Sequence, residues 1–245
     1  PLARAGVPLL IEKPLAADPI PADAFAEAKA PIQVGYCLRF QPALAAVAAA
    51  VWDGAVGTVR LLRAQVGQYL PDWRPGTDYR AGVTARADLG GGALRELSHE
   101  IDLALWLGGP VSGVRARLAN TGALGIETDE VADLTLTFAS GAVGSVQVDL
   151  LRRAPRRLLS VTGDDGTVEW DGIAATARLF RDGAWTDLTP PDDGGGDMYD
   201  RQFRHFLARV ADGAAPLVGP DAGRAVLDVV AAARRSDDEG GDIAP

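Results

Sequence analysis

The chain is poor in the residue types that most often carry chemistry. Its 245 residues include one cysteine (Cys37), two histidines (His99 and His205), one methionine and two lysines (Lys13 and Lys29). A lone cysteine excludes an intrachain disulfide and fits a reducing compartment, so a cytoplasmic setting is expected. Two distant histidines and one cysteine fall short of the usual transition-metal ligand sets, and no metal is expected. No apolar run reaches the roughly 20 residues that span a bilayer. The longest, residues 42–52, is short and rich in alanine. Positive charge is also scarce: 24 Lys+Arg against 33 Asp+Glu leave a net charge of −9. Nucleic acid and anionic membranes would need a clustered basic face, so neither is an expected partner. The nearest thing to such a cluster, Arg152-Arg153-Ala154-Pro155-Arg156-Arg157, reads as a charged connection to a strand.

A hydrophobic content of 47% describes a globular protein with a sizeable core. Within it the distribution of lysine is informative. Arginine stays protonated in proteins, whereas a partly buried lysine can titrate near neutral pH. The apolar run at residues 7–11 delivers Glu12-Lys13-Pro14, placing one of only two lysines at the end of a strand that reads as buried. A solvated strand-end lysine is the plainer alternative.

The chain opens on Pro1, and residues 2–6 read as the tail of a helix closed by glycine, so the sequence is expected to begin inside a domain. A strand at 7–11, a helix at 21–30 and a strand at 31–36 would make a βαβ unit. A helix is expected at 43–51. After that the pattern changes. Alternation marks strands at 58–69, 111–118, 131–138 and 143–150, and shorter ones at 158–162, 167–170, 177–180 and 184–188. Residues 71–89 read as an irregular loop and 94–107 as a strong helix. The closing helices fall at 198–210 and 221–235, with a frayed tail from Ser236. In the first of these, Tyr199, Phe203, Phe206 and Val210 should form the buried face, leaving His205 in solvent. The expected fold is α/β followed by α+β: residues 1–54 form the first part, and residues 55–245 carry a large, mainly antiparallel sheet with one open face.

The richest constellation is the stretch Gly90-Gly91-Gly92-Ala93-Leu94-Arg95-Glu96-Leu97-Ser98-His99-Glu100-Ile101-Asp102. On a continuous helix His99 has carboxylates at i−3 (Glu96) and i+3 (Asp102), which would raise its pKa, as suits a general acid–base. A helix-surface histidine in ordinary charge pairs is the alternative. The triple glycine does not match a phosphate-binding fingerprint after a strand. It is expected instead to allow a close backbone approach or a sharp turn. Ser98 does not complete a hydrolase triad, because it points about 100° away from His99 on a helix. Asp72-Trp73-Arg74-Pro75-Gly76-Thr77-Asp78-Tyr79-Arg80 has the composition of a loop that stacks on sugar rings and clamps oxyanions, and equally that of a solvated loop.

Four features in order resemble the Gfo/Idh/MocA oxidoreductases: Glu12-Lys13-Pro14-Leu15; Gly35-Tyr36-Cys37-Leu38-Arg39-Phe40-Gln41-Pro42; the 90–102 helix entry; and the Asp-Gly-punctuated strands leading to the 198–210 helix. The resemblance implies that residues 1–54 are the C-terminal part of a Rossmann-like domain. It also implies a substrate domain whose open sheet supports a homodimer or homotetramer. It further implies NAD or NADP as cofactor and a sugar-like or nucleotide-sugar substrate undergoing hydride transfer. It assigns catalytic roles to Lys13, His99 and Glu96, and cofactor contacts to Glu12, Lys13, Pro14 and Arg39. Substrate contacts fall on Tyr36, Trp73, Arg74, Tyr79, Arg80, Arg95 and Asp102. The chain departs from the family pattern in two ways. It has Glu96 three residues before His99 where an Asp four before is usual, and it carries no glycine-rich dinucleotide fingerprint. The second departure leaves open a cofactor-free binding or assembly protein, or a cofactor-independent isomerase or lyase using the Lys13–His99 pair.

Overall fold

Leu9–Ile11 (β1) and Ile32–Val34 (β2) are continuously apolar and pair in parallel, Leu9 opposite Ile32 and Ile11 opposite Val34. The computed structural model describes all 245 residues. β2 is wholly buried. β1 is only half-buried; β2 is covered by further chain, its Val34 N–H donating to the Val218 carbonyl at 2.9 Å.

The remaining strands form one eight-stranded sheet. They are β3 (Val59–Gly67), β4 (Val111–Ala119), β5 (Val131–Phe138), β6 (Val143–Asp149), β7 (Arg156–Gly163), β8 (Gly166–Asp171), β9 (Thr176–Arg181) and β10 (Ala184–Asp187), in the order β10-β9-β8-β7-β3-β6-β5-β4. All neighbours are antiparallel except β3 and β6, which run parallel. Alternation decides which face is covered. In β5, Ala132, Leu134, Leu136 and Phe138 are buried while Asp133, Thr135 and Thr137 face outward. Helix α1 (Pro42–Trp52) covers β8 and β9, and α3 (His99–Gly108) covers β3 and β6. Helix α5 (Pro220–Glu239) lies against β4 and reaches β2. Val34 and Tyr36, at the end of the small sheet, belong to the same continuous core as Leu62, Leu136 and Val161 of the large one. The junction between the two sheets is therefore packed rather than hinged.

Four expectations are corrected. Residues 21–30 form successive turns, with bonds Ala24→Pro21, Ala26→Asp23 and Ala28→Phe25, rather than a helix. Residues 22–24 are exposed, and a ten-residue helix without a surface to pack on is marginal. The helix at 94–107 is two helices, α2 (Ala93–Glu96) and α3, broken at Leu97-Ser98. In helix α4 (Met198–Asp212) the buried residues are Gln202 and Phe206, while Tyr199 and Phe203 are 59% and 52% exposed. The helix sits on the turn at Cys37–Phe40 through a face offset from its apolar stripe. That rotation half-buries His205, which packs 5.2 Å from the Phe40 ring and accepts the Leu217 N–H at 3.0 Å. The tail is tied rather than frayed. Ser236 Oγ accepts the Ala116 N–H and donates to the Gly241 carbonyl, and Ile243 bridges to Val114.

Candidate active site

β1 ends at the crest where open parallel sheets hold ligands. The Gly35 N–H donates to the Ile11 carbonyl at 2.8 Å, so the exits of the two strands stay together. There Lys13, with a side chain 15% exposed, donates from Nζ to the Glu96 carbonyl at 2.6 Å and to Glu96 Oε1 at 3.3 Å. The helix break makes this possible. A continuous helix would spend the Glu96 carbonyl on the Glu100 N–H, but that N–H turns to Leu97 instead. Glu96 Oε2 in turn accepts from Thr84 Oγ1 at 3.3 Å, which ties the 71–89 loop to the site.

His99 opens α3 directly after the break. Its ring meets the Tyr36 ring edge-on at 5.5 Å, and its Nδ1 is buried without a partner. Burial first, then the charges of Arg157 and Lys13, hold its pKa well below the ordinary value. The expected upward shift is therefore reversed. Both carboxylates that should have raised it are engaged elsewhere, Glu96 by Lys13 and Asp102 by Arg39. Tyr36 is fully buried beneath His99, with its hydroxyl 3.5 Å from Ser98 Oγ, and burial pushes its phenol strongly upward.

Arg39 and Asp102 form a closed, bidentate pair, with Nε–Oδ2 at 2.9 Å and Nη2–Oδ1 at 2.6 Å and side chains 7% and 1% exposed. The Arg39 guanidinium also lies 5.1 Å from the Trp106 ring. Burial pushes the Asp102 carboxyl up, and the Arg39 charge pulls it back. These two residues brace the turn after β2 against α3.

The triple glycine is explained by packing. A Cβ on Gly91 would strike the Val83 and Thr84 carbonyls, and one on Gly92, whose φ is +112°, would strike the Asp129 carboxylate. Asp129 accepts the Leu94 N–H at 2.8 Å and so caps α2 from outside the helix.

The other sequence candidates are more dispersed. Arg95 turns away to Asp18 at 3.4 Å. Trp73 is half-buried with an unpartnered Nε1, and Arg74 is exposed. Tyr79 donates to the Leu124 carbonyl at 2.9 Å, and its ring carries the Arg80 guanidinium at 4.5 Å. Glu12 is exposed beside Lys13, and Pro14 is half-buried after it. Structure thus unites Lys13, Glu96, His99 and Tyr36 and adds two residues that sequence reading did not select, Thr84 and Arg157. Arg157 donates from Nε to Glu100 Oε1 at 2.8 Å, across a separation of 57 residues that leaves no local signal.

Residues 44–169 match the GFO/IDH/MocA C-terminal domain. The chain belongs to the GFO/IDH/MocA family of oxidoreductases. It is similar to D-apiose dehydrogenase from Paraburkholderia graminis, 31% identical over 190 residues, covering 74% of this chain and 46% of that protein. Against that relative the chain spans about half the length. The aldose-aldose oxidoreductase of Caulobacter crescentus, solved with glycerol, is 26% identical with a TM-score of 0.85, covering 100% of this chain and 74% of that one. A levoglucosan dehydrogenase solved with NADH and L-sorbose shares the fold at 21% identity and a TM-score of 0.85, covering 99% and 74%.

Proposed function

We propose that this chain carries the substrate half of an oxidoreductase that moves a hydride between a nicotinamide cofactor, NAD or NADP, and a secondary alcohol or keto group of a sugar-like substrate. The observation that carries the reading is the juxtaposition of Lys13, anchored by Glu96, with a buried, neutral His99 at the crest of the parallel strands. Related sugar dehydrogenases, and the NADH named for one structural relative, support it.

The residues present fit the nicotinamide end of such a cofactor. Lys13 stands at the strand crest, its charge is felt by His99, and the Nδ1 of His99 is left unpartnered. When bound, the cofactor supplies the hydride acceptor or donor. The chain's own groups do the rest. His99, kept uncharged by burial and by two neighbouring cations, accepts the proton of the substrate hydroxyl. The ammonium of Lys13 polarises that oxygen, with Glu96 fixing its direction. The 71–89 loop, tied through Thr84, forms one wall carrying Trp73, Tyr79 and Arg80. We place the subunit contact of a homodimer or homotetramer on the outward sheet face, where Asp133, Thr135 and Thr137 lie exposed.

The test is turnover by the native protein on a panel of polyols and aldoses with NAD and NADP, compared with Lys13→Met and His99→Ala. Loss of the acid–base group should lower kcat by about 10²–10⁴-fold. Full turnover by the double variant would refute the assignment.

A further inference from the structure

One cation at this site enters that mechanism only through its charge on His99, with no substrate contact given to it. Arg157, near the start of β7, lies in the arginine-rich stretch that the sequence presents as a mere connection. Its Nε donates to Glu100 Oε1, and Glu100 is 1% exposed. The terminal amino groups have no protein partner and are not sealed from solvent. The stem is fixed. Its Cγ lies 2.7 Å from where a Cβ on Gly172 would stand, with the Trp170 indole against the same position, and the Gly172 N–H donates to the Arg157 carbonyl at 2.8 Å.

The contrast with Arg39–Asp102 is instructive. That pair uses two parallel bonds and closes the fork on itself. Arg157–Glu100 uses one, and Glu100 Oε2 is left without a partner. A buried carboxylate that grips only Nε orients the guanidinium and leaves its outer edge free, the edge that recognises pairs of oxygen atoms. The anchor of Arg157, Glu100, follows His99 directly in the first turn of α3, which places the guanidinium next to the histidine's helix turn. The Arg157 charge is felt at His99, Cys37 and Tyr199, on α3, the turn after β2, and α4.

We propose that Arg157 is a substrate-anchoring residue of this site, its two free amino groups taking a pair of substrate oxygens, a carboxylate or a vicinal diol, on the molecule whose hydroxyl faces His99. The inference rests on the oxidoreductase reading, but its test needs no cofactor. The chain has only two histidines, so the His99 ring resonances can be followed by NMR and assigned with a His205→Gln variant. Titration with D-glucuronate and with myo-inositol presents the two oxygen pairs separately.

At least one probe should shift the His99 signals saturably. Tighter binding of glucuronate would identify a carboxylate, and equal or tighter binding of inositol a diol. Arg157→Met combined with Glu100→Gln removes both charges, so no lone carboxylate is left buried to unfold the protein. It should weaken the bound probe about tenfold or more, with Arg157→Lys intermediate. Unchanged affinity in the double variant, or no binding of either probe, would overturn the proposal. Binding through Arg157 in a protein that transfers no hydride would instead overturn the oxidoreductase reading alone.

Discussion

Replacing Arg39 with Met should be among the most damaging single substitutions outside the apolar core. It would leave the Asp102 carboxylate, 1% exposed, without either of its two charge-assisted bonds at 2.6 and 2.9 Å. Breaking a buried pair from one side costs about 3–5 kcal/mol, a large share of the roughly 5–15 kcal/mol that stabilises a domain. Arg39→Met/Asp102→Leu removes the stranded charge with its partner and should recover most of the loss. The pH dependence has a definite sign. In the single variant Asp102 takes up its proton more readily folded than unfolded. Below the carboxylate's ordinary pKa near 4, both states are protonated and the penalty vanishes; it grows as pH rises through that value. Urea unfolding followed by fluorescence of the five tryptophans measures all three quantities. A single variant within about 1 kcal/mol of the parent, or a double variant no better than the single, would refute the argument.

Three further outcomes are expected. His99 is held neutral in the fold but protonates near pH 6.5 when unfolded, so the unfolded chain binds the extra proton and stability falls as pH drops below that value. The slope attributable to it is up to about 1.4 kcal/mol per pH unit, and His99→Gln should remove that increment in denaturant titrations between pH 7 and 5. Gly92→Ala combines a φ of +112° with a collision against the Asp129 carboxylate, and should cost about 1–3 kcal/mol by the same assay; a neutral result would show that α2 shifts freely. Glu130, wholly buried, accepts from the Thr121 hydroxyl and N–H and from the Leu124 N–H. Glu130→Gln should speed hydrogen exchange at Thr121 and Leu124 at least several-fold, while amides of β5 beyond Glu130 keep their protection.

What could be read before the structure was what is encoded locally. β5 and β6 declared themselves because alternation and a Ser140-Gly141 turn lie within a few residues of one another. Lys13, Glu96 and His99 could be singled out because each sits in a short, unusual string. Failures came where a partner elsewhere in the chain decides the outcome. The apolar stripe of α4 is plain in sequence, yet the turn at Cys37–Phe40 meets the helix on the Gln202–Phe206 side. The Leu97-Ser98 break interrupts a flawless apolar pattern. It is sustained by contacts from outside the helix: Asp129 at its start and Lys13 on the carbonyl that the break exposes.

The same distinction explains the reversed sign at His99. Two carboxylates at i−3 and i+3 argue for a raised pKa only if they are free to face the imidazole. A carboxylate already bonded to Lys13, or clamped by Arg39, has its charge largely neutralised before the histidine feels it. What reaches His99 is then the residual: burial, which disfavours any charge, and two cations, one of which arrives from β7 across the domain. A raised pKa would have produced an imidazolium at neutral pH, competent to donate a proton but not to take one. The lowered value keeps His99 neutral, the form that the base role proposed for it requires. The charge state of His99 is therefore set by who pairs with Glu96 and Asp102, a property of the tertiary fold and not of the helix that carries them.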